Sequence, residues 1–329
     1  MDALYNAAKP RVVAIGGPTA PGKPTLSVAL AKRFGGEIIS ADSMQIYQGL
    51  DVGTAKVTPE EMQGVPHHLV GFLAPEQAFS VADFTTLAGK TITQLTAQGK
   101  LPLVVGGTGL YITSLLNGIG FTPEKVDPAI RQELQARLQA EGSQALYAEL
   151  AAVDPGYAAK VHPNNTPRVI RALELYRATG RKMSAEREAA RPAEKPYCSL
   201  CLCLTCRDRT LLYQRIDTRC DRMMQSGILE EAKLVYDHRD TYRTAAQAIG
   251  YKEFFPYFEG TADLESCLAH LKQASRNYAK RQLTWFRRYE DMTWFDLDEY
   301  QNDEDAIRSI LLWLKEKYGY TTKVTDPTM

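Results

Sequence analysis

The chain has no net charge, no long apolar run, few cysteines and few histidines, and each shortage excludes a class of function. Lysine plus arginine equal aspartate plus glutamate at 39 each. Any polyanion must therefore be held by a local basic patch, not by the field of the whole molecule. No stretch approaches the roughly 20 apolar residues of a membrane span. The opening "MDALYNAAKPRVVAIGG" has only a short apolar run leading into a glycine loop, which is not the pattern of a secretory signal. A cytoplasmic chain with no membrane and no protein partner is the expectation. There is no internal repeat or low-complexity tract, and 44% hydrophobic with 24% charged residues is ordinary for a folded globular protein.

Four of the 6 cysteines, Cys198, Cys201, Cys203 and Cys206, cluster in "CSLCLCLTC". Zinc ribbons separate their CxxC pairs by about a dozen residues or more so that two turns can face each other, and these pairs are nearly contiguous. Alternation points instead to a buried strand, with Leu200, Leu202 and Leu204 on one face and Cys201, Cys203 and Thr205 on the other. Cys220 and Cys267 stand alone, and a reducing compartment gives no reason to expect a disulfide. His67 and His68 in "VPHHL" lack the neighbouring carboxylates or thiols of a metal site.

What the chain does have is "GGPTAPGKPTLS", Gly16 to Ser27, which comes close to the phosphate-binding pattern G-x-x-x-x-G-K-[ST]. Gly17, Gly22 and Lys23 fit, and Pro24 stands where the Ser or Thr belongs. "RVVAIGG" before it is short and apolar like a buried strand, and "TLSVALAKRF" after it has apolar residues at helical spacing. In that context Gly17, Pro18, Thr19, Ala20, Pro21, Gly22, Lys23 and Pro24 form a candidate phosphate cradle. Backbone N–H groups point inward, the helix dipole assists, and Lys23 adds a full charge. A strand-to-helix turn that merely uses glycine is the plain alternative.

"GEIISADS" and "KLPLVVGGTG" are further apolar runs ending in small polar residues, with the amphipathic "SVADFTTLAGKTITQLTAQG" between them. Strands alternating with helices predict a parallel sheet whose site lies at the carboxyl ends of the strands. From about Pro123 the pattern changes to consecutive helices with polar, proline-marked joints. After "RPAEKP" the cysteine strand returns the chain to the sheet, and "LESCLAHLKQASRNYAKRQLTWFRRY" is the last helix expected. The predicted division is a core of 1–122 and 198–317, a helical insertion over 123–197, and a frayed tail over 318–329.

Seven blocks in order, "GGPTAPGK", "IISADSMQIYQGLDVGTAKVTPEE", "VPHHLVGF", "VVGGTGLYI", "PRVIRALE", "AIGYKE" and "YAKRQLTWFR", resemble the tRNA dimethylallyltransferase family, also called tRNA isopentenyltransferases. The resemblance runs from about Val12 to Arg288. It implies an α/β fold, a P-loop NTPase-like parallel sheet flanked by helices, with an all-helical insertion domain that grips the anticodon arm of tRNA. It implies a loop that holds the diphosphate of dimethylallyl diphosphate, not a nucleotide triphosphate. The implied reaction moves the dimethylallyl group to the N6 amine of the adenosine 3′ of the anticodon.

The residue types suit that chemistry. Joining an amine to an allylic carbon needs a base for the amine proton and cations for the departing diphosphate. Asp42 in "ADSMQ" is the candidate base, a helix cap being the alternative for it and for Ser43. Thr108 in "GGTG" matches a family threonine near the reacting centre, a plain turn being the alternative. Lys23 and Arg219 match the family's diphosphate-neutralising pair, with Arg215 a neighbour or a solvated charge. An adenine amine in a stacked arm must be flipped out to react. The family match assigns Asp42, Ser43, Met44 and Gln45, with Thr108, to the flipped base. It gives other RNA contacts to Pro167, Arg168, Val169, Ile170 and Arg171, and to Gln247, Ala248, Ile249, Gly250, Tyr251 and Lys252. Arg276, Lys280, Arg281, Trp285, Arg287 and Arg288 mix cations with aromatics suited to RNA, although Trp285 and Phe286 fit a core equally well.

Mg2+ is the expected cofactor, and Pro24 bears on it directly. Proline is tolerated in a first helical turn. It removes a hydroxyl ligand and one N–H, and Thr25 is rotated about 100° away along the helix. Water and diphosphate oxygens are then the expected ligands. A small-molecule kinase, and a tRNA-binding relative without turnover, are the other readings of this loop.

Overall fold

A computed structural model describes residues 9–20, 22–121, 127–190 and 192–318. It separates into two compact units, Met1–Leu116 with Pro196–Met329, and Asn117–Lys195. The first is built on a 6-stranded sheet whose paired strands all run parallel. Its central strand, β1 (Arg11–Gly16), lies between β4 (Leu101–Val105) and β5 (Cys198–Thr205), with Val13 opposite Leu103 on one side and Leu200 on the other. Outside β4 come β2 (Gly36–Ser40) and β3 (His67–His68), and outside β5 comes β6 (Met292–Asp296). Both faces of β1, β4 and β5 are covered, so these strands are largely apolar, with Arg11 at the start of β1 and Ser199 and Thr205 in β5 as exceptions.

The helices follow from local signals. Gly22 and Gly35, both left-handed, bracket α1 (Lys23–Phe34). The Thr58/Glu61 capping box starts the single turn α2 (Pro59–Met62), and the Ser80/Asp83 box starts α3 (Val81–Ala97), after which β4 leads into α4 (Gly109–Leu116). The second unit holds α5 (Pro128–Val153), broken at the left-handed Gly142, then α6 (Pro155–Ala158), α7 (Thr166–Thr179) and α8 (Met183–Ala189). Leu134, Leu146, Leu150, Val169, Ile170 and Leu173 form its own core. Back in the first unit come α9 (Arg209–Gln225), α10 (Ile228–Asp237), α11 (Phe255–Phe258), α12 (Leu264–Phe286) and α13 (Asp303–Tyr318).

The cysteine strand alternates as expected. Cys201 and Cys203 pack with α3 and α4 on one sheet face, while Leu202 and Leu204 pack with α1 and α13 on the other. Two edge strands and a helix were not foreseen. β3 is a pair of histidines, and β6 with α13 follows the helix that the sequence pattern made the last. The expected start of the insertion at 123 and nearly all of the expected tail lie outside the described residues, as do Pro21 and Arg191. Among the described residues no helix is long and apolar enough to cross a membrane.

The strand order places the site. The chain goes from β1 outward to β2, returns to β4 beside β1, and then crosses to β5 on the other side. The loops after β1 and β4 therefore diverge at adjacent strand ends, which leaves a crevice between them.

Candidate functional site

The loop from Gly17 to Lys23 turns tightly against β5. Gly17 has φ +140, and a Cβ there would meet the Leu204 carbonyl oxygen at 2.5 Å. Ala20 adopts the left-handed region at φ 76, a strained backbone for a residue with a side chain. The Lys23 ammonium folds back over the loop, donating to the Gly17 carbonyl at 3.2 Å and to that of Pro18. Arg219 reaches in from α9 and donates to Thr19 Oγ1. Among the described residues neither cation has a carboxylate within ion-pair distance. Burial, and then repulsion from Arg219, bring the Lys23 pKa down to about 8. Burial likewise draws Arg219 below its ordinary value, and Asp42 opposes both shifts. Two desolvated cations held at the phosphate loop by carbonyl and hydroxyl oxygens alone form a site that an anion completes.

Asp42 follows β2 at the same end of the sheet. Its Oδ1 accepts from the Met44 N–H at 2.9 Å and the Gln45 N–H at 3.4 Å, which closes an Asx turn. Its Oδ2 has no hydrogen-bond partner among the described residues. The capping alternative and the catalytic one therefore coexist on one carboxylate. Thr108 bridges the loops after β4 and β2. Its N–H donates to the Ala41 carbonyl at 3.2 Å, its Oγ1 accepts from the Ser43 N–H at 3.0 Å, and its hydroxyl donates to Ser43 Oγ at 3.4 Å. The Gln45 amide is already bound to the Ala55 carbonyl at 3.0 Å, and Met44 packs on the core, so their side chains shape this loop.

Sequence reasoning missed two members of the site on α12. Gln282, 5% exposed, spans the loops after β1 and β4. Tyr278 lies beside Asp42, Thr108 and Gln282, and burial pushes its hydroxyl up to about 12. Both sit within "YAKRQLTWFR", whose composition drew attention to cations. Of the other aromatic residues of that block, Phe286 belongs to the core and Trp285 is half-buried. Phe286 is fully buried, and the Trp285 indole donates to Thr113 Oγ1 at 3.4 Å. Arg276 is tied to Asp217 at 2.6 Å and so joins α12 to α9. Lys280, Arg281, Arg287 and Arg288 remain exposed. Arg215 is partly buried near the Cys206 thiol.

The other RNA candidates divide by burial. In the helical unit Pro167, Arg168 and Arg171 are exposed, whereas Val169 and Ile170 are core. Arg171 is oriented by the buried Glu174, which also binds Arg131. In the 247–252 block Gln247 and Lys252 are exposed and Ile249 half-buried, while Ala248, Gly250 and Tyr251 are buried. The side chains of Val169, Ile170, Ala248 and Tyr251 pack in the cores of their units, which leaves only their backbone for a contact. His67 and His68 stand apart from the site, His68 pairing with Glu37 near the amino end of β2 at 2.6 Å.

Pro24 lies in the first turn of α1, and its carbonyl accepts from Ser27 Oγ at 2.9 Å, so the helix tolerates it. Thr25 faces a small cavity lined by Leu204, Leu297 and Asp303, not the Lys23 ammonium. Among the described residues no group of three His, Cys, Asp or Glu could hold a metal. One carboxylate, with no hydroxyl at position 24 and the Thr19 hydroxyl turned to Arg219, is a poor donor set for a resident magnesium ion.

A family model described as IPP transferase matches residues 45–289, and one described as isopentenyl transferase matches residues 10–70. The tRNA dimethylallyltransferase of Bacillus subtilis (strain 168) is 50% identical over 292 residues, covering 89% of this chain and 92% of that protein. The solved tRNA isopentenylpyrophosphate transferase of Bacillus halodurans is 45% identical with a TM-score of 0.69, covering 94% of this chain and 99% of that one. A eukaryotic dimethylallyltransferase, described in crystallographic snapshots as acting on tRNA, has a TM-score of 0.78 at 30% identity over 96% of this chain and 81% of that one. The sheet with its glycine loop is thus a P-loop NTPase-like fold, and these relatives do not favour a kinase. On matches of this length and identity, the chain belongs to the tRNA dimethylallyltransferase family, the IPP transferases, which are prenyl-transferring enzymes.

Proposed function

We propose that this chain transfers the dimethylallyl group of dimethylallyl diphosphate to the N6 amine of the adenosine 3′ of the anticodon in tRNA, giving N6-isopentenyladenosine in the cytoplasm. The observation that carries this is the pair Lys23 and Arg219, desolvated over a backbone loop without a carboxylate, beside an aspartate with one unengaged oxygen. The amine nitrogen forms a bond to C1 of the allylic chain as the C1–O bond to diphosphate breaks. Lys23 and Arg219 take the charge developing on the leaving oxygen, the kind of electrostatic stabilisation that often contributes most to a rate. Asp42 accepts the amine proton through Oδ2 while Oδ1 holds the turn in place. Thr108 and Ser43 fix that loop against the one after β4. Arg168, Arg171, Gln247 and Lys252 are the proposed surface contacts to the anticodon arm, where phosphates supply most of the affinity. Because Pro24 offers no ligand, a magnesium ion would be held by the substrate and water and not by this loop, and would supply charge neutralisation of the diphosphate.

The test is purified protein with unmodified tRNA and, in parallel, labelled dimethylallyl diphosphate or labelled ATP. Label is expected in tRNA from the first alone, released by nuclease as N6-isopentenyladenosine. Label from ATP, or RNA retained without label, overturns the proposal in favour of a kinase or a non-catalytic binder.

A further inference from the structure

We propose that Gln282 is a positioning residue that couples the diphosphate cradle to the loops beside the base, so that filling one half of the site tightens binding at the other. This inference rests on the prenyl-transfer reading above. The Gln282 amide is buried, yet both of its ends are satisfied. Oε1 accepts from the Thr19 N–H at 3.1 Å and Nε2 donates to the Gly107 carbonyl at 2.9 Å. Thr19 belongs to the phosphate loop and takes Arg219 on its hydroxyl. Gly107 precedes Thr108, whose Oγ1 holds the Ser43 N–H beside Asp42. One continuous chain of hydrogen bonds thus runs from Arg219 through Thr19, Gln282 and the Gly107–Thr108 loop to Ser43.

The geometry leaves little freedom at the middle link. A Cβ on Gly107 would lie 2.2 Å from Gln282 Nε2, so the backbone comes up to the amide only because nothing projects there. Filling space would require the length of glutamine without its polar ends. A buried amide bonded at both ends instead transmits displacement, because losing either bond strands a polar group. A diphosphate that draws Arg219 and the loop amides toward itself acts on Thr19, and Gln282 carries that constraint to Gly107 and Thr108. By reciprocity, RNA held at the base loops tightens the cradle by the same factor.

The test uses the full chain, a fluorescent unmodified anticodon-arm RNA, and isopentyl diphosphate, which lacks the allylic double bond and does not transfer. In the unaltered protein, saturating isopentyl diphosphate is expected to tighten RNA binding at least about fivefold. Gln282→Met keeps the volume and removes both bonds. Each ligand alone should bind it within about threefold of the parent while the coupling falls below about twofold. Its kcat with the true substrate should drop by at least about tenfold, the effect of a displaced loop. Gly107→Ala, which pushes the flexible end of Gln282 aside without altering it, should reproduce these changes. Undiminished coupling in either folded variant overturns the inference, as does absence of coupling in the unaltered protein, a measurement that stands if the variants do not fold. Failure of label transfer by the unaltered protein would overturn the prenyl-transfer reading itself. Transfer without coupling would overturn only the role of Gln282.

Discussion

Pro24 stands where the phosphate-loop pattern has a Ser or Thr, and so brings neither a hydroxyl nor an N–H to that position. Because α1 accommodates proline in its first turn, the change falls on binding and not on folding. Pro24→Thr is expected to raise kcat/KM for dimethylallyl diphosphate by the equivalent of about 1–3 kcal/mol, the contribution of a charged hydrogen bond. Equal steady-state parameters for the two proteins would refute it. Lys23 adds a pH signature. Its pKa of about 8 in the free protein means that the ammonium is lost as pH rises past that value, whereas a bound diphosphate keeps it protonated. Calorimetric affinity for isopentyl diphosphate should weaken by about tenfold per pH unit above that point, for one linked proton. Lys23→Arg should bind without this slope, because guanidinium stays charged. The sign for folding is opposite: between about 8 and 10.5 the unfolded chain binds the extra proton, so this group makes the fold more stable as pH rises. A slope that survives in Lys23→Arg would assign the titration elsewhere.

Among the elements, α10 carries a device that ties the excursion after β2 to the rest of the unit. The Glu231 carboxylate accepts from the backbone N–H groups of Asp51 at 2.7 Å, Val52 at 3.0 Å and Gly53 at 2.8 Å, and from the Tyr251 hydroxyl at 2.6 Å. Burial and the facing carboxylate push the Tyr251 hydroxyl well up, so it stays a neutral donor. Glu231→Ala should lower stability in urea by about 2–4 kcal/mol and Tyr251→Phe by about 1 kcal/mol, the cost of stranded donors and of one bond. KM for tRNA should rise in Glu231→Ala with diphosphate affinity unchanged. An unaltered urea midpoint would show the clamp to be idle. Periodicity revealed β1, β4 and β5, because strands buried on both faces are largely apolar along their length. It missed β3, which has too few residues to show a period, and β6, whose "MTWFD" directly follows a basic, aromatic helix end. The phosphate loop and Asp42 were legible because their chemistry is local to a motif. Gln282 was not, since its partners lie 263 and 175 positions away and only the fold brings them together. The buried bond from Tyr251 to Glu231 was not legible either, since a motif does not show which of its side chains face inward.

For the whole molecule, equal numbers of acidic and basic residues leave the proposed RNA binding to exposed cations in local settings, of which Arg168, Lys252 and Arg281 are candidates. The logarithm of RNA affinity should fall linearly with the logarithm of salt concentration, by about 0.7–0.9 for each phosphate neutralised. Arg168→Ala should reduce that slope by about one and weaken all tRNA substrates alike. A change confined to one anticodon sequence would instead make Arg168 a reader of bases. The chain leaves the sheet after α4 and returns to it at β5. Between these points the Gly120 N–H donates to the Ala190 carbonyl at 2.9 Å, which pins the two ends of the helical unit together. Such a neck makes the unit a cassette. Its own core folds around Leu134, Leu150 and Leu173. Under the proposed division of labour, the repertoire of target RNAs can be exchanged by replacing the cassette while the machinery that handles the prenyl donor is inherited intact.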